Sequence, residues 1–254
     1  KVSENKTQEN SILEVSHLEK SFGSHSVLKD ISFSVHPGDV VSVIGASGSG
    51  KSTMLRCINL LETPDGGSIL YHGEDITARK MNVPAYRARV GMVFQKPNPF
   101  PMSIYDNIAY GCRIHGIRNR KKLNMIVRHY LQAVGLWEEV KDRLHTPAGR
   151  MSIGQQQRLC LARGLAVEPQ FILADEATSA LDPISSKTIE DLFLKLKEEY
   201  AIVLVTHTLR QALRIADYVI FMYMGEIIEA GPAEQIFKNP QKELTQKYLA
   251  GVFS

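Results

Sequence analysis

A glycine-rich segment that follows the largely apolar run 40–44 has the composition of a phosphate-binding loop. The segment consists of Gly45, Ala46, Ser47, Gly48, Ser49, Gly50, Lys51, Ser52 and Thr53. Glycines let a backbone fold tightly enough for successive N–H groups to point at one anion, and the start of the following helix adds partial positive charge. We expect Lys51 to reach the β- and γ-phosphates of a nucleotide such as ATP, and the Ser52 hydroxyl to be a ligand of the bridging Mg²⁺.

Two adjacent carboxylates end a second apolar run, 171–174. In open parallel sheets, ligands bind at the carboxyl ends of the strands, where Asp175 and Glu176 would lie. Neighbouring side chains on an extended chain point to opposite sides, so the two acids are expected to have different roles. We assign Asp175 to the Mg²⁺ ligands and Glu176 to the water that attacks the γ-phosphate.

Two further polar side chains follow apolar runs. His207 comes after 202–206, and Gln95 comes after 90–94. A lone histidine at a strand end is more often capped or solvent-facing than catalytic, but its place beside the acids in a parallel sheet reverses that expectation. We predict that His207 hydrogen-bonds the γ-phosphate and that Gln95 ligates Mg²⁺ or positions water.

Ser152 begins a predicted helix that continues through Leu159, Ala162 and Leu165. Serine is a good N-cap, and a capped helix start with a glycine nearby is a second candidate anion site. The alternative is simply a well-capped helix.

The remaining patterns predict the elements that position these residues. Strands alternating with helices indicate an α/β fold of the P-loop NTPase type with a mostly parallel central sheet. The alternating runs 12–15 and 31–35 predict an antiparallel β subdomain, and the three prolines after Lys96 mark the start of an inserted helical subdomain at about 96–165. We expect residues 1–10 to be a disordered tail and 11–254 to be a single nucleotide-binding domain.

Composition excludes several classes of function. Of the 254 residues 44% are hydrophobic, and the formal net charge is only +3, which does not suggest nucleic-acid binding. The basic run 118–122 is typical of a solvated helix start, with a contact to RNA or acidic lipid as the alternative. The three cysteines lack the spacing of a disulfide framework or zinc site, so we expect a reducing compartment. No apolar run approaches the ~20 residues of a membrane helix, and 1–10 lacks a signal pattern.

Taken in order, these motifs resemble those of the ATP-binding-cassette ATPases. The resemblance rests on the phosphate loop, Gln95, the helix start at Ser152, the pair Asp175 and Glu176, the segment 179–182 and His207. It implies a head-to-tail homodimer in which two ATP molecules lie between the phosphate loop of one copy and the Ser152 segment of the other. It also implies nucleotide contacts by Gly154, Gln155 and Asp182, and stacking of Phe22 on adenine.

Within that family, the segments 96–111, 179–185 and 221–231 are similar to the ATPases of bacterial phosphate importers. This similarity implies two membrane-spanning permease subunits as partners, with an extracytoplasmic solute-binding protein acting indirectly. It also implies a peripheral location on the cytoplasmic face of the inner membrane.

Two positions depart from the family pattern. Ile153 stands where the family has glycine, and Ala177 stands where it often has proline.

The first rival is an importer ATPase for polar amino acids or another small solute, which would share every reactive residue. A cassette ATPase acting on DNA or ribosomes usually has a coiled-coil insertion or tandem cassettes, and a P-loop kinase would not explain the segment 152–155.

Overall fold

The structure is a computed structural model that describes residues 11–252. Its strands are β1 (Leu13–Phe22), β2 (His25–Val35), β3 (Val40–Ile44), β4 (Gly66–Tyr71), β5 (Glu74–Asp75), β6 (Val90–Val93), β7 (Phe171–Asp175), β8 (Ala201–Val205), β9 (Tyr218–Tyr223) and β10 (Glu226–Pro232). Its α-helices are α1 (Lys51–Ile58), α2 (Val83–Ala88), α3 (Ile104–Ile114), α4 (Arg120–Ala133), α5 (Trp137–Val140), α6 (Ile153–Leu165), α7 (Pro183–Leu196), α8 (Leu209–Ile215), α9 (Ala233–Lys238) and α10 (Glu243–Leu249).

The described residues form two compact units. The first comprises the described parts of Lys1–Arg87 and Leu194–Ser254, and the second is Ala88–Phe193. The predicted tail, 1–10, lies outside the described residues. The treatment of 11–254 as one nucleotide-binding domain stays a prediction.

The first unit contains an antiparallel sheet with the strand order β2-β1-β4-β5. Val15 on the central strand β1 is opposite Phe33 of β2 and Ile69 of β4. Val15 and Ile69 are buried, and alternation of apolar and polar residues along β1 leaves one face for the core. This sheet confirms the antiparallel β element predicted from 12–15 and 31–35.

The first unit also contains the strand that precedes the phosphate loop. β3 pairs in parallel with β8 on one side and β9 on the other, and β10 pairs antiparallel with β9. All five residues of β3 and all five of β8 are buried, as expected of parallel strands covered on both faces. A buried core cluster joins this sheet to helices α8, α9 and α10, and it consists of Ile44, Ala212, Val219, Phe221, Ala233, Ile236 and Tyr248.

The second unit combines the parallel pair β6 and β7 with a group of helices. Val93 of β6 is level with Ala174 of β7, so both strands end at the same edge. Helix α3 packs on α4 and α6, and Ser103 caps α3 by accepting a hydrogen bond from the Asp106 N–H. Helices α3, α4, α5 and α6 all lie within 96–165, and the first of them starts at Ile104. The bounds of the inserted subdomain stay a prediction.

Three details differ from the sequence-based expectations. The strand before Gln95 ends at Val93 and the strand before His207 ends at Val205, each one residue before the end of the apolar runs 90–94 and 202–206. Glu176 is not extended, because its φ is +49°, a left-handed conformation that non-glycine residues seldom adopt. The prediction that alternation along a strand separates the two acids is therefore wrong, because the backbone bends at Glu176.

Within residues 11–252, no helix is both long and apolar enough to cross a membrane.

Candidate functional site

The phosphate loop lies between β3 and α1 in the first unit. Gly48 and Gly50 have φ values of +78° and +92°, which let the chain reverse direction before the helix. Gly50 is the N-cap of α1, and no side chain of the described residues caps this helix start. A helix start that follows glycines and has no side-chain cap is suited to binding a phosphate.

Backbone contacts from elements remote in sequence hold this loop. A Cβ at Gly45 would lie 2.1 Å from the Met222 carbonyl oxygen of β9, so only glycine fits there. The Gly225 N–H donates to the Ser49 carbonyl at 3.1 Å, and the Gly225 carbonyl accepts from the Lys29 N–H at 2.8 Å. The β9–β10 turn thus connects the loop to β2. This support was not predicted, and its only signal in the sequence is the Met224-Gly225 pair between the apolar runs 218–222 and 227–228.

The Lys51 ammonium lies against the loop itself. Its Nζ donates to the carbonyl oxygens of Gly45 at 2.7 Å and Ala46 at 2.8 Å, and the residue is 5% exposed. A buried positive charge at the start of a helix is suited to a polyphosphate. Ser52 and Thr53, the next two residues of α1, are half-buried.

His207 lies at the same edge of the sheet as the phosphate loop. Val43 of β3 is level with Val205 of β8, and the Thr206 N–H donates to the Val43 carbonyl at 3.1 Å. The loop and His207 therefore leave adjacent strands at equivalent positions. His207 is exposed, so a ligand at this edge could reach its ring.

Phe22 ends β1 as an exposed aromatic ring. Its exposed fraction is 47%, and the Lys20 Nζ lies 5.0 Å from the ring centroid. Lys20 is itself anchored by donating to the Thr63 carbonyl at 2.8 Å. A cation held against a ring in this way stabilises its position, and an exposed ring can stack on a planar ligand.

In the second unit, the register of β6 and β7 places Gln95 near the two acids. Gln95 follows β6 by two residues, Asp175 is the last residue of β7, and Glu176 comes directly after it. Asp175 is buried, whereas Gln95 is exposed. The Glu176 carbonyl accepts from the Ser179 N–H and the Ser179 hydroxyl, both at 3.0 Å, which fixes the turn after the acid.

Gln157 connects these two segments, and the sequence analysis did not single it out. This buried residue of α6 donates its Nε2 to the Phe94 carbonyl at 2.6 Å and to the Ala177 carbonyl at 2.8 Å. The residues that it contacts are the immediate neighbours of Gln95 and Glu176. Gln157 is therefore placed to hold the amide and the carboxylate in fixed relation. The only sequence signal was a glutamine on the buried side of a predicted helix.

Ser152 begins α6 as predicted, in a capping box. Its Oγ accepts from the Gln155 N–H at 3.2 Å, while the Gln155 Oε1 accepts from the Ser152 N–H at 3.0 Å. The Gln155 Nε2 also donates to Glu139 at 2.8 Å. Burial alone would raise the pKa of Glu139, but hydrogen bonds from Arg158 and Gln155 and the arginine charges lower it. Both polar ends of Gln155 are thus engaged in shaping the helix start.

Gly154 and Asp182 are connected through Ser185 at the start of α7. A Cβ at Gly154 would lie 2.6 Å from the Ser185 Oγ. That hydroxyl donates to Asp182 at 2.6 Å, and the same carboxylate accepts from the N–H groups of Ile184 and Ser185, both at 3.0 Å. These hydrogen bonds lower the pKa of Asp182, and the bond from the Ser185 hydroxyl has the largest effect.

The two departures from the family pattern lie in different surroundings. Ile153, the first residue of α6, is 49% exposed. Ala177 is buried, and its carbonyl accepts the hydrogen bond from Gln157. The isoleucine therefore presents an apolar side chain beside the capped helix start, while the alanine lies inside the second unit.

Comparison with known proteins identifies the family. The model of the family described as "ABC transporter" matches residues 28–179. The chain belongs to this family, which confirms the ATP-binding-cassette resemblance of its motifs. A solved structure of cbiO1 from Clostridium perfringens, described as part of the ABC transporter complex cbiONQ, matches with a TM-score of 0.81 and 27% identity, covering 96% of both chains. The P-loop NTPase fold prediction is thereby confirmed.

Curated relatives are more similar still. The phosphate import ATP-binding protein PstB of Thermotoga maritima is 49% identical over 245 residues, covering 94% of this chain and 98% of the relative. The protein of the same description from Shewanella denitrificans is 46% identical over 253 residues, covering 98% of this chain and 93% of the relative. The likeness therefore extends over almost the whole of both proteins.

Proposed function

We propose that this chain is the ATP-hydrolysing subunit of an importer of inorganic phosphate. The observation that carries this proposal is the 49% identity, over 94% of the chain, to a phosphate import ATP-binding protein. The geometry of the phosphate loop supports the ATPase activity, because an uncapped helix start and a buried lysine are suited to a triphosphate. On this proposal, residues 11–254 act as one nucleotide-binding domain with the helical subdomain inserted at about 96–165.

The proposed binding contacts come mainly from the first unit. The backbone N–H groups of the loop 45–53 and the Lys51 ammonium hold the β- and γ-phosphates. Phe22 stacks on adenine, which its exposed and lysine-supported ring favours. Ser52, Gln95 and Asp175 supply the hydroxyl, amide and carboxylate oxygens that Mg²⁺ prefers. Mg²⁺ held there would neutralise part of the negative charge of the phosphates.

The proposed chemistry is in-line attack of water on the γ-phosphate. Glu176 orients the water and accepts its proton, and His207 donates a hydrogen bond to the γ-phosphate. The left-handed backbone at Glu176 supports this assignment, since strained conformations of non-glycine residues concentrate at functional sites. Lys51 stabilises the charge that develops on the transferred group.

We further propose that the working form is a head-to-tail homodimer with bound ATP. In it, Ser152, Gly154, Gln155 and Asp182 of one copy complete the site of the other. The dimer lies at the cytoplasmic face of the inner membrane against two permease subunits, and an extracytoplasmic solute-binding protein delivers the phosphate. No nucleic acid takes part.

The ATPase assignment is tested with two variants. Lys51→Ala should remove most of the ATP affinity, because one or two charge-assisted hydrogen bonds of roughly 1.5–3 kcal/mol each are lost. Glu176→Gln should bind ATP normally but accumulate as an ATP-bound dimer, since hydrolysis is blocked. Calorimetry and sizing chromatography measure these effects. Unchanged ATP binding by the first variant, or normal turnover by the second, contradicts the assignment.

The transported solute is tested by uptake into vesicles that contain the chain and its permease subunits. We expect ATP-driven uptake of phosphate.

The Pro-rich segment after Gln95 is proposed to transmit conformational change from the ATP site to the permease subunits. Arg163 holds this segment in place, since it donates to the Asn98 carbonyl at 3.0 Å and lies 4.2 Å from the Phe100 ring centroid. Replacing Pro99 and Phe100 with alanine should abolish uptake but leave the ATPase rate of the isolated chain nearly intact. Normal uptake contradicts this role, and uptake of an amino acid instead favours the first rival.

A further inference from the structure

The helical part of the second unit contains a cleft that the proposed ATPase mechanism does not use. It has a volume of about 600 Å³ and lies among α3, α4, α5 and the segment 144–145. Cavities of roughly 300–1,000 Å³ are typical of small-molecule sites. The cleft is therefore large enough for a phosphorylated metabolite or a lipid headgroup.

Arginines dominate the charge of this cleft. Four line it, namely Arg113, Arg118, Arg120 and Arg128, against the single carboxylate of Asp106. The carboxylate is already paired with Arg113 at 2.8 Å. Within residues 11–252, neither the Arg118 nor the Arg120 side chain makes a hydrogen bond or ion pair. Two guanidinium groups are thus left without an anionic partner.

The cleft also has ordered walls. The Tyr105 hydroxyl donates to the Asn124 Oδ1 at 2.6 Å, which leaves the amide N–H₂ of Asn124 as a further donor. The Arg128 guanidinium lies 5.2 Å from the Trp137 ring centroid, which holds this third arginine in place. Burial raises the pKa of Tyr105, and the charges of Arg113 and Arg120 act in the opposite direction.

We propose that this cleft binds a ligand that carries phosphate groups, either a soluble phosphorylated compound or the headgroup of an anionic phospholipid. The planar guanidinium presents parallel N–H donors that match phosphate oxygens in a bidentate manner. Three arginines outside the Asp106 pair favour a group with more than one negative charge. The basic run 118–122 contributes Arg118 and Arg120 to the cleft, which makes it more than a solvated helix start.

Trp137 makes binding directly measurable. It lines the cleft and is the only tryptophan of the 254-residue chain, so its fluorescence reports on this site. The chain, in a Lys51→Ala background that weakens binding at the phosphate loop, is titrated with tripolyphosphate. It is titrated separately with phosphatidylglycerol vesicles and with pure phosphatidylcholine vesicles. We expect a saturable change with tripolyphosphate, with phosphatidylglycerol, or with both, and none with phosphatidylcholine.

Arginine variants identify the residues responsible. Arg118→Ala and Arg120→Ala should each raise the probe concentration at half-saturation by about tenfold. Arg118→Lys should raise it by less, because lysine keeps the charge but loses the bidentate geometry. Lys121→Ala and Lys122→Ala are the matched controls, since both lysines belong to the same basic run but do not line the cleft. Thermal unfolding checks that these exposed substitutions leave the fold intact.

The outcomes distinguish the ligand sources. Saturation by tripolyphosphate assigns a soluble ligand, and saturation by phosphatidylglycerol vesicles alone assigns a lipid headgroup. Three results overturn the proposal: no saturable response to tripolyphosphate or to phosphatidylglycerol, an equal response to phosphatidylcholine vesicles, or equal weakening in the lysine controls. None of these results depends on the ATPase assignment, because the readout is at Trp137.

Discussion

The two helix starts that carry the family motifs are built in opposite ways. The phosphate loop before α1 has no side-chain cap and is held by backbone contacts from β9 and the β9–β10 turn. The start of α6 is capped by Ser152 and Gln155 and braced by side chains, including Ser185 against Gly154. Backbone contacts cannot yield to an added atom, whereas a side chain can rotate or be replaced. The first site should therefore be intolerant of change and the second adjustable.

The largest effect is expected at Gly45. Gly45→Ala would place a Cβ 2.1 Å from a backbone oxygen of Met222, and we expect a loss of at least about 3 kcal/mol in the free energy of unfolding together with loss of ATP binding. Urea unfolding and calorimetry measure the two effects. Gly149→Ala is the control, because a Cβ there meets no atom within 4 Å. Similar stability of the two variants would show that the loop is not held rigidly.

An intermediate effect is expected at Gly154. Gly154→Ala should cost about 1–3 kcal/mol of stability, since the added Cβ meets the side chain of Ser185. Because that obstacle is a side chain, Ser185→Gly should partly rescue the variant. A double-mutant cycle in urea should yield a favourable coupling of about 1 kcal/mol. Absence of coupling would mean that Ser185 moves aside freely and that the bracing is weak.

Gln157 tests whether side chains in the second unit position the reacting groups. Gln157→Leu removes two hydrogen bonds and leaves the carbonyls of Phe94 and Ala177 without this donor, so we expect a loss of about 1–3 kcal/mol in stability. The turnover number should fall more than the ATP affinity, because the segments bearing Gln95 and Glu176 lose their connection. Gln156→Leu is the matched control on the same helix. Equal kinetic effects of both variants would leave Gln157 with a packing role only.

The smallest effect is expected at Ile153. This β-branched side chain is 49% exposed, at a position where glycine would let the backbone approach a phosphate more closely. We expect Ile153→Gly to tighten ATP-driven dimerisation modestly, despite costing ~0.5–1 kcal/mol of helix stability. Sedimentation in a Glu176→Gln background measures it without hydrolysis. A weaker dimer would show that Ile153 makes a useful contact.

Most of the fold could be predicted because its signals are local. The buried parallel strands appear as continuous apolar runs: β3 coincides with 40–44, and β8 is shifted by one residue from 202–206. Ser152 was recognisable as an N-cap because the residues of a capping box are three apart in the chain. The phosphate loop was recognisable for the same reason, since its chemistry depends on consecutive backbone groups.

By itself, the sequence determined the P-loop fold, the positions of the phosphate loop and the acids, and the family. Only the tertiary structure decided that Glu176 takes a left-handed turn, that Gln157 connects Phe94 to Ala177, and that Gly225 supports the loop. It also decided which residues of the basic run line a cleft with Trp137. These features depend on contacts between residues far apart in the chain, and no periodicity or short motif encodes such contacts, because each partner is compatible with many neighbours until the chain has folded.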